Sequence, residues 1–301
     1  LILLRNSMVE TEAAAVAAEN QIAETHTTEA APEGEASHEH TLYAEPLFHV
    51  GSFTITNSLL TSWLAVIILL VVGITLRARL AMVPRKLQNA FELIIEQFMT
   101  IFDGVTGSRE KSLKLAPFVF SFFFLILINN WLGLIPGVGS IGRLVSEGGH
   151  EVFVPYLRGA TADLNTTLAL ASIAVVASHI FGVVAVGAWT YLNKFINIKA
   201  FLEIPKKIMK EPTIILINPI KAFVGLIEII GEAAKIASLS FRLFGNIFAG
   251  EVLLASMSAI LAFAMPVPFM LLEVIVGLIQ ALIFAILVLI YVSISTTAEE
   301  H

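Results

Sequence analysis

Arg242, Asn246 and Glu251 lie within one apolar stretch, IASLSFRLFGNIFAGEVLL, residues 236–254. A charged side chain at the centre of a bilayer costs about 2.5–3.5 kcal/mol on insertion scales. Arg242 is therefore expected to face protein or water and to act there. Its guanidinium stays charged at any working pH. Glu228, Lys235 and Arg242 follow one another at intervals of seven. Such a series drifts only about 20° per heptad, so the three form one stripe on a helix. Asn246 lies about 40° from Arg242 and joins the stripe. Glu251 falls near the opposite face, and Glu232 about 80° off. Further on, Glu273 and Gln280 share a face with Gly277 between them, and Tyr291 returns to it.

Carboxyl groups withdrawn from water can take up and pass on protons. A series of Glu, Gln and water around a fixed cation is a gated proton path. Plainer roles compete at each position. Arg242 would otherwise be a structural ion pair within a helix bundle, and Glu228 and Lys235 a mutual pair. Gln280 would be a helix–helix hydrogen bond. His179 reads as a satisfied bundle histidine, and Asn129, Asn130 and Trp131 as helix contacts.

The elements that must position these residues are membrane helices. Of 301 residues, 57% are hydrophobic and only 14% charged, where soluble domains carry about a quarter. The fold class is all-α: a multi-span integral membrane protein with an amphipathic surface helix and a C-terminal hairpin of two long, strongly tilted helices. Residues 1–45 read as a mobile acidic tail, too poor in large apolar side chains to offset ordering entropy. Residues 46–301 form the membrane domain. Residues 1–7 are too short for a signal peptide, and Met8 is the expected start.

The first span is Leu59–Leu76. It ends in Arg77, Arg79, Arg85 and Lys86, which places that end in the cytoplasm and the N-terminus outside. Residues 85–108 alternate bulk and charge at helical spacing, as an amphipathic helix at the inner surface or docked on the bundle. Pro117–Ile135 is the second span, 137–162 an outer loop of mixed charge, and Thr166–Leu192 the third span, capped by Asp163 and Asn165. A basic segment, Lys194–Lys210, lies inside. Pro219–Met265 would span about 70 Å as one helix, against a hydrocarbon core of about 30 Å. It must tilt, bend, or break near Gly245 or Gly250. Pro266 and Pro268 form a hinge before Phe269–Ser295, and the C-terminus is cytoplasmic.

Several chemistries are excluded. There is no cysteine, hence no disulfide or thiolate site. No GxxxxGK(S/T) phosphate loop occurs, and the glycines of PGVGSIG close a span instead of opening a helix. No nucleophile triad, nucleotide site, nucleic-acid surface, metal cluster or cofactor site is apparent. His26, His38 and His40 belong to the solvated tail.

The segment FRLFGNIFAGE, residues 241–251, resembles the signature of subunit a of the rotary F-type ATP synthase. GLIPGVGS after the second span, TADLNTTLAL opening the third, NPI before the long helix, IQALIFAILVLIYVS and the closing EEH are similar to that family too. The resemblance covers 46–301. It implies a proton-translocating stator subunit that performs no covalent catalysis. Its partners would be the c-ring, the peripheral-stalk b subunits and the lipid of a bacterial inner membrane. Arg242 matches the family's essential arginine, which draws the ring carboxylate into the interface and separates two aqueous half-channels. Asn246, Glu251 and Gln280 match polar positions of proton access. Glu228 and Lys235 match polar positions upstream. Glu273 departs from members that pair a histidine with an acid at the positions of Glu251 and Glu273; here two carboxyls would titrate as a coupled pair. The carried ion is H⁺ or Na⁺, with H⁺ favoured because no cluster of oxygen ligands is apparent. A self-contained channel or transporter and a transport-free scaffold are the competing classes. The first often carries an internal repeat, which is not visible, and the second leaves the polar stripe unexplained.

Overall fold

The computed structural model describes residues 43–78, 86–147, 150–196, 214–261 and 266–296. The acidic tail through residue 42, most of the basic segment and the last five residues lie outside them. The helices, in chain order, are α1 (Asn57–Ala78), α2 (Lys86–Thr106), α3 (Arg109–Gly133), α4 (Leu164–Val186), α5 (Ala188–Ile196), α6 (Ile214–Ile260) and α7 (Pro266–Thr296). Five of them, α1, α3, α4, α6 and α7, are long and apolar enough to cross a membrane. The chain is an all-α multi-span membrane protein, the architecture that lipid imposes when every backbone polar group must be satisfied within its own segment.

Helix α7 is the centre of the bundle and packs on α3, α4 and α6. Small and branched residues let it approach closely: Ala281, Ala285, Val288 and Val292 are buried, and Phe284 meets Phe122 of α3. Helix α6 also packs on α4, with Leu239 and Leu243 in the core. The amphipathic helix α2 is docked on α3. Phe98, Met99 and Phe102 bury there, and Phe98 lies 4.5 Å, centroid to centroid, from Phe123. An ion pair of 2.8 Å between Arg109 and Asp103 clips the turn between the two helices.

Several boundaries depart from the sequence expectation. Helix α3 begins eight residues before Pro117, which its third turn absorbs. Helix α4 is capped by Asp163, whose carboxylate accepts the Asn165 N–H at 3.0 Å, but it stops at Val186. Gly187, at φ 92°, turns the chain in a left-handed conformation that favours glycine, and the rest of the expected span is the separate α5. Helix α6 starts before Pro219 and runs unbroken past Gly245 and Gly250; among the three ways of fitting its length, a break is eliminated. Pro266 opens α7 and Pro268 lies in its first turn, positions where a missing N–H costs nothing, so neither is a hinge.

Two short hairpins were not anticipated. Strands β1 (Pro46–Val50) and β2 (Phe53–Thr56) pair antiparallel around Gly51, and β3 (Gly142–Glu147) pairs with β4 (His150–Pro155) inside the expected outer loop. The tip Leu144–Phe153 forms a unit of its own, and the rest of this description concerns the body. A buried polar knot ties the first hairpin to the bundle. Asn57 Oδ1 accepts the Glu45 N–H at 3.2 Å, and Ser58 Oγ donates to Asp163 Oδ2 at 2.9 Å. Glu45 therefore belongs with the membrane body and not with the tail that the sequence boundary at residue 45 assigned it to.

Candidate functional site

Two arginines of the bundle have opposite surroundings. Arg242, on α6, is exposed. Among the described residues its one hydrogen bond is long, 3.4 Å from Nη2 to Ser238 Oγ one turn earlier. Asn246, one turn later, is exposed beside it. Phe241 is exposed next to Arg242, and Phe223, Ile227 and Ile230 are exposed more than three turns earlier on the same helix. Arg242 thus stands as a cation on an apolar helix face.

Arg158, in the segment before α4, is only 6% exposed. Its Nε donates to both oxygens of Glu251, at 3.1 and 3.2 Å, and Nη2 donates to Glu251 Oε2 at 3.0 Å. Its Nη1 donates to the Tyr43 carbonyl at 3.2 Å. The fork geometry of guanidinium on carboxylate is the strong form of such a pair. Sequence reading missed Arg158. The available signal was a base in a loop assigned to the outer side, between Leu157 and Gly159; no spacing rule joins it to a carboxylate 93 positions away.

Glu251 and Glu273 line one cavity of about 210 Å³, together with Asn130, Gly133, Leu134, Gly139, Gly159, Ala162, Ile247 and Leu254. That is roomy enough, and polar enough, for water. Glu273 is 5% exposed, and its Oε1 has no hydrogen-bond partner among the described residues. Its carboxyl lies against the α6 backbone at Gly250, where any Cβ would collide with it. The two carboxyls therefore share a cavity, but they are not equivalent. One is clamped by a guanidinium and the other is not, so the expected two-acid pair is a three-group set with Arg158. The cavity wall is fixed by Asn130, whose Nδ2 donates to the Gly277 carbonyl at 2.9 Å and whose Oδ1 accepts from Thr161 at 2.6 Å. Trp131 Nε1 donates to the Val274 carbonyl at 3.2 Å. Asn130 and Trp131 thus join α3 to α7, while Asn129 donates to Leu125 within its own helix. Gly250→Ala is expected to unseat the Glu273 carboxyl. Overpacking of this kind costs about 1–3 kcal/mol, read as a lower unfolding temperature in detergent.

Further along α6, away from the cavity, Lys235 is paired with Glu232 at 2.7 Å. The expected Lys235–Glu228 pair is replaced by one at a spacing of three, because that brings the side chains together on adjacent turns. Lys235 also lies over the Tyr291 ring, 5.2 Å from its centroid. His179 of α4 approaches Glu232 and Tyr191. Gln280 is half-buried on α7, one turn beyond Gly277 and its Asn130 contact. Among the described residues no three His, Asp or Glu side chains are arranged to hold a metal ion.

Polar groups therefore gather at two separate levels of α6, around Glu251 and around Glu232, with Arg242 between them in sequence. The family model described as ATP synthase A chain matches residues 59–293. A protein of Syntrophobacter fumaroxidans named ATP synthase subunit a is 33% identical over 80% of this chain and 84% of its own length. One of Moorella thermoacetica with the same name is 29% identical over 82% and 94%. ATP synthase subunit a, chloroplastic, of the alga Stigeoclonium helveticum is 31% identical over 81% and 85%.

Proposed function

The chain belongs to the ATP synthase subunit a family, and from that premise we propose that it is the proton-conducting stator of a rotary F-type synthase. It is an integral membrane subunit. Its exposed face of α6 would lie against the c-ring, with Arg242 opposite the ring carboxylates. The observation that carries this reading is the pairing of a permanent charge with an apolar face. A cation so placed, with no carboxylate partner among the described residues, suits a membrane partner that brings one.

The cavity at Glu251 and Glu273 would be one half-channel and the region of Glu232 and Lys235 the other. Asn246 and Gln280 would line the approaches, and Glu228 would contribute less directly. Arg242 would block direct passage, so that a proton crosses only by riding the ring. One charge crossing 100 mV releases about 2.3 kcal/mol, so rotation must accumulate several steps for each ATP. The chain would convert the gradient to torque without catalysing a covalent step. Arg77 on α1 and Arg109, Lys111 and Lys114 on α3 mark one end of the bundle. That end would be cytoplasmic, with the Glu251 cavity toward the outside of a bacterial inner membrane. The b subunits of the peripheral stalk would hold the chain against rotation.

The test is reconstitution into vesicles with and without a ring of small hairpin subunits. Proton conductance is expected only with both. Equal conductance by this chain alone would replace the stator with a self-contained channel.

A further inference from the structure

At the end of the bundle remote from the Glu251 cavity, four helices bring together a series of titratable side chains in close approach. His179 of α4 has both ring nitrogens engaged. Nδ1 lies 2.7 Å from the Tyr191 hydroxyl of α5. Nε2 lies 3.5 Å from Glu232 Oε2 of α6, a buried oxygen that has no hydrogen-bond partner among the described residues. The other Glu232 oxygen takes Lys235 Nζ at 2.7 Å, and Lys235 lies over Tyr291 of α7. Tyr191 is seated by Gly182, at which any Cβ would collide with its ring. His179, Glu232 and Lys235 are partly exposed, at 28%, 17% and 29% of their side chains, while Tyr191 is buried.

We propose that His179 is a proton-relay residue of this end of the pathway, exchanging protons with Glu232 at one nitrogen and with Tyr191 and water at the other. The inference rests on the stator reading and adds to it residues that the polar stripe did not include. The geometry divides the labour. Lys235 occupies one oxygen of Glu232 and neutralises its charge, which leaves Oε2 directed at the imidazole. A proton on Oε2 passes to Nε2, the Nδ1 proton passes to the Tyr191 oxygen, and the Tyr191 hydroxyl proton passes to water. One proton enters and one leaves, no other bond changes, and the starting tautomer returns when water takes the Nε2 proton and gives one to Nδ1. A ring fixed only for packing needs no carboxylate at its second nitrogen. Imidazole is also the one side chain whose charge ordinarily changes between pH 5 and 8. Among the described residues, the charged and titratable groups facing it are Tyr191 from α5, Glu232 and Lys235 from α6, and Tyr291 behind them from α7.

The experiment uses the assembled synthase in membrane vesicles, with conductance measured after removal of the catalytic head and the pH varied on one side at a time. His179→Asn keeps a polar partner for Tyr191, His179→Gln keeps one for Glu232, and Tyr191→Phe keeps the ring packing. General acid–base groups contribute about a hundredfold or more. The two histidine variants are expected to lower conductance at least about tenfold at equal amounts of assembled complex, water carrying the remainder. They are also expected to flatten its pH dependence on the basic side of the membrane only. Tyr191→Phe is expected to give a smaller loss of the same kind. Conductance within twofold of the parent with an unchanged pH profile, in whichever variants assemble, overturns the proposal. Arg242→Ala in parallel separates the two levels: if it uncouples transport while the His179 variants behave as the parent, the relay falls and the stator reading stands.

Discussion

Replacing Arg242 with alanine is expected to abolish ATP synthesis and ATP-driven proton pumping while leaving the chain folded and the complex assembled. The separation of these effects follows from where the guanidinium sits. It is exposed, and its one hydrogen bond among the described residues is 3.4 Å long. Its loss leaves no buried partner unpaired in this chain, so stability should move by no more than about 0.5 kcal/mol, as for surface positions generally. A ring carboxylate brought within about 4 Å would lose an attraction of about 4 kcal/mol at an effective dielectric of 20. That is close to a thousandfold in an equilibrium constant. Arg242→Lys keeps the charge but loses the planar fork and should retain only a fraction of coupled transport. Proton uptake by inverted vesicles on ATP addition reads both variants. Normal pumping by Arg242→Ala would sink the stator assignment, as would a destabilised chain, since the second outcome would make this arginine structural.

The second large effect has the opposite character. Arg158→Ala is expected to damage the protein before it damages transport. Removing one partner of a buried pair leaves the other charge uncompensated, at a cost of about 3–5 kcal/mol. Arg158 also holds the Tyr43 carbonyl, so the N-terminal hairpin would lose one of its ties to the bundle. The measurements are the unfolding temperature of the solubilised chain and the amount of complex in membranes, both of which should fall. The double change Arg158→Gln with Glu251→Gln removes the orphaned charge and should recover much of the stability. If that double variant also conducts protons, Glu251 is a fixed counter-charge of the cavity, and Glu273 is left as its proton carrier. If the single variant is as stable as the parent, the pair is ornamental.

These two arginines also mark how far the sequence could be read. Arg242 was legible because an apolar run makes a charge conspicuous, and helical periodicity then gave its neighbours. The inward position of Glu251, near the face opposite Arg242, followed from the same periodicity. Arg158 was not legible, because its partner lies on another element and its buried place depends on how the bundle closes. Lys235 shows the limit within one helix. A seven-residue stripe grouped it with Glu228, but a side chain meets what is one turn away, and Glu232 is there. The spans were readable from hydropathy, whereas their ends were not. Pro117 was absorbed into α3, Gly187 cut α4 short, and a pair of prolines expected to hinge instead opens α7. The short strands of residues 46–56 and 142–155 are only four to six residues each, too brief for periodicity to single out, and the second pair lay within what was read as an outer loop.

The unbroken course of α6 has a mechanical meaning. On the proposed stator reading, a rotor pressing on Arg242 would exert a reaction force, and a stator is useful only if it yields little. A helix of 47 residues without a break is a beam whose stiffness comes from hydrogen bonds lying along its axis. Load applied near Arg242 is carried toward both ends, into α4 and α7, instead of being lost in a flexing joint at Gly245. Compliance, introduced by Gly245→Pro, would let the wall give way under load. The expected signature is slippage that worsens as the opposing gradient rises, with transport at zero load largely preserved.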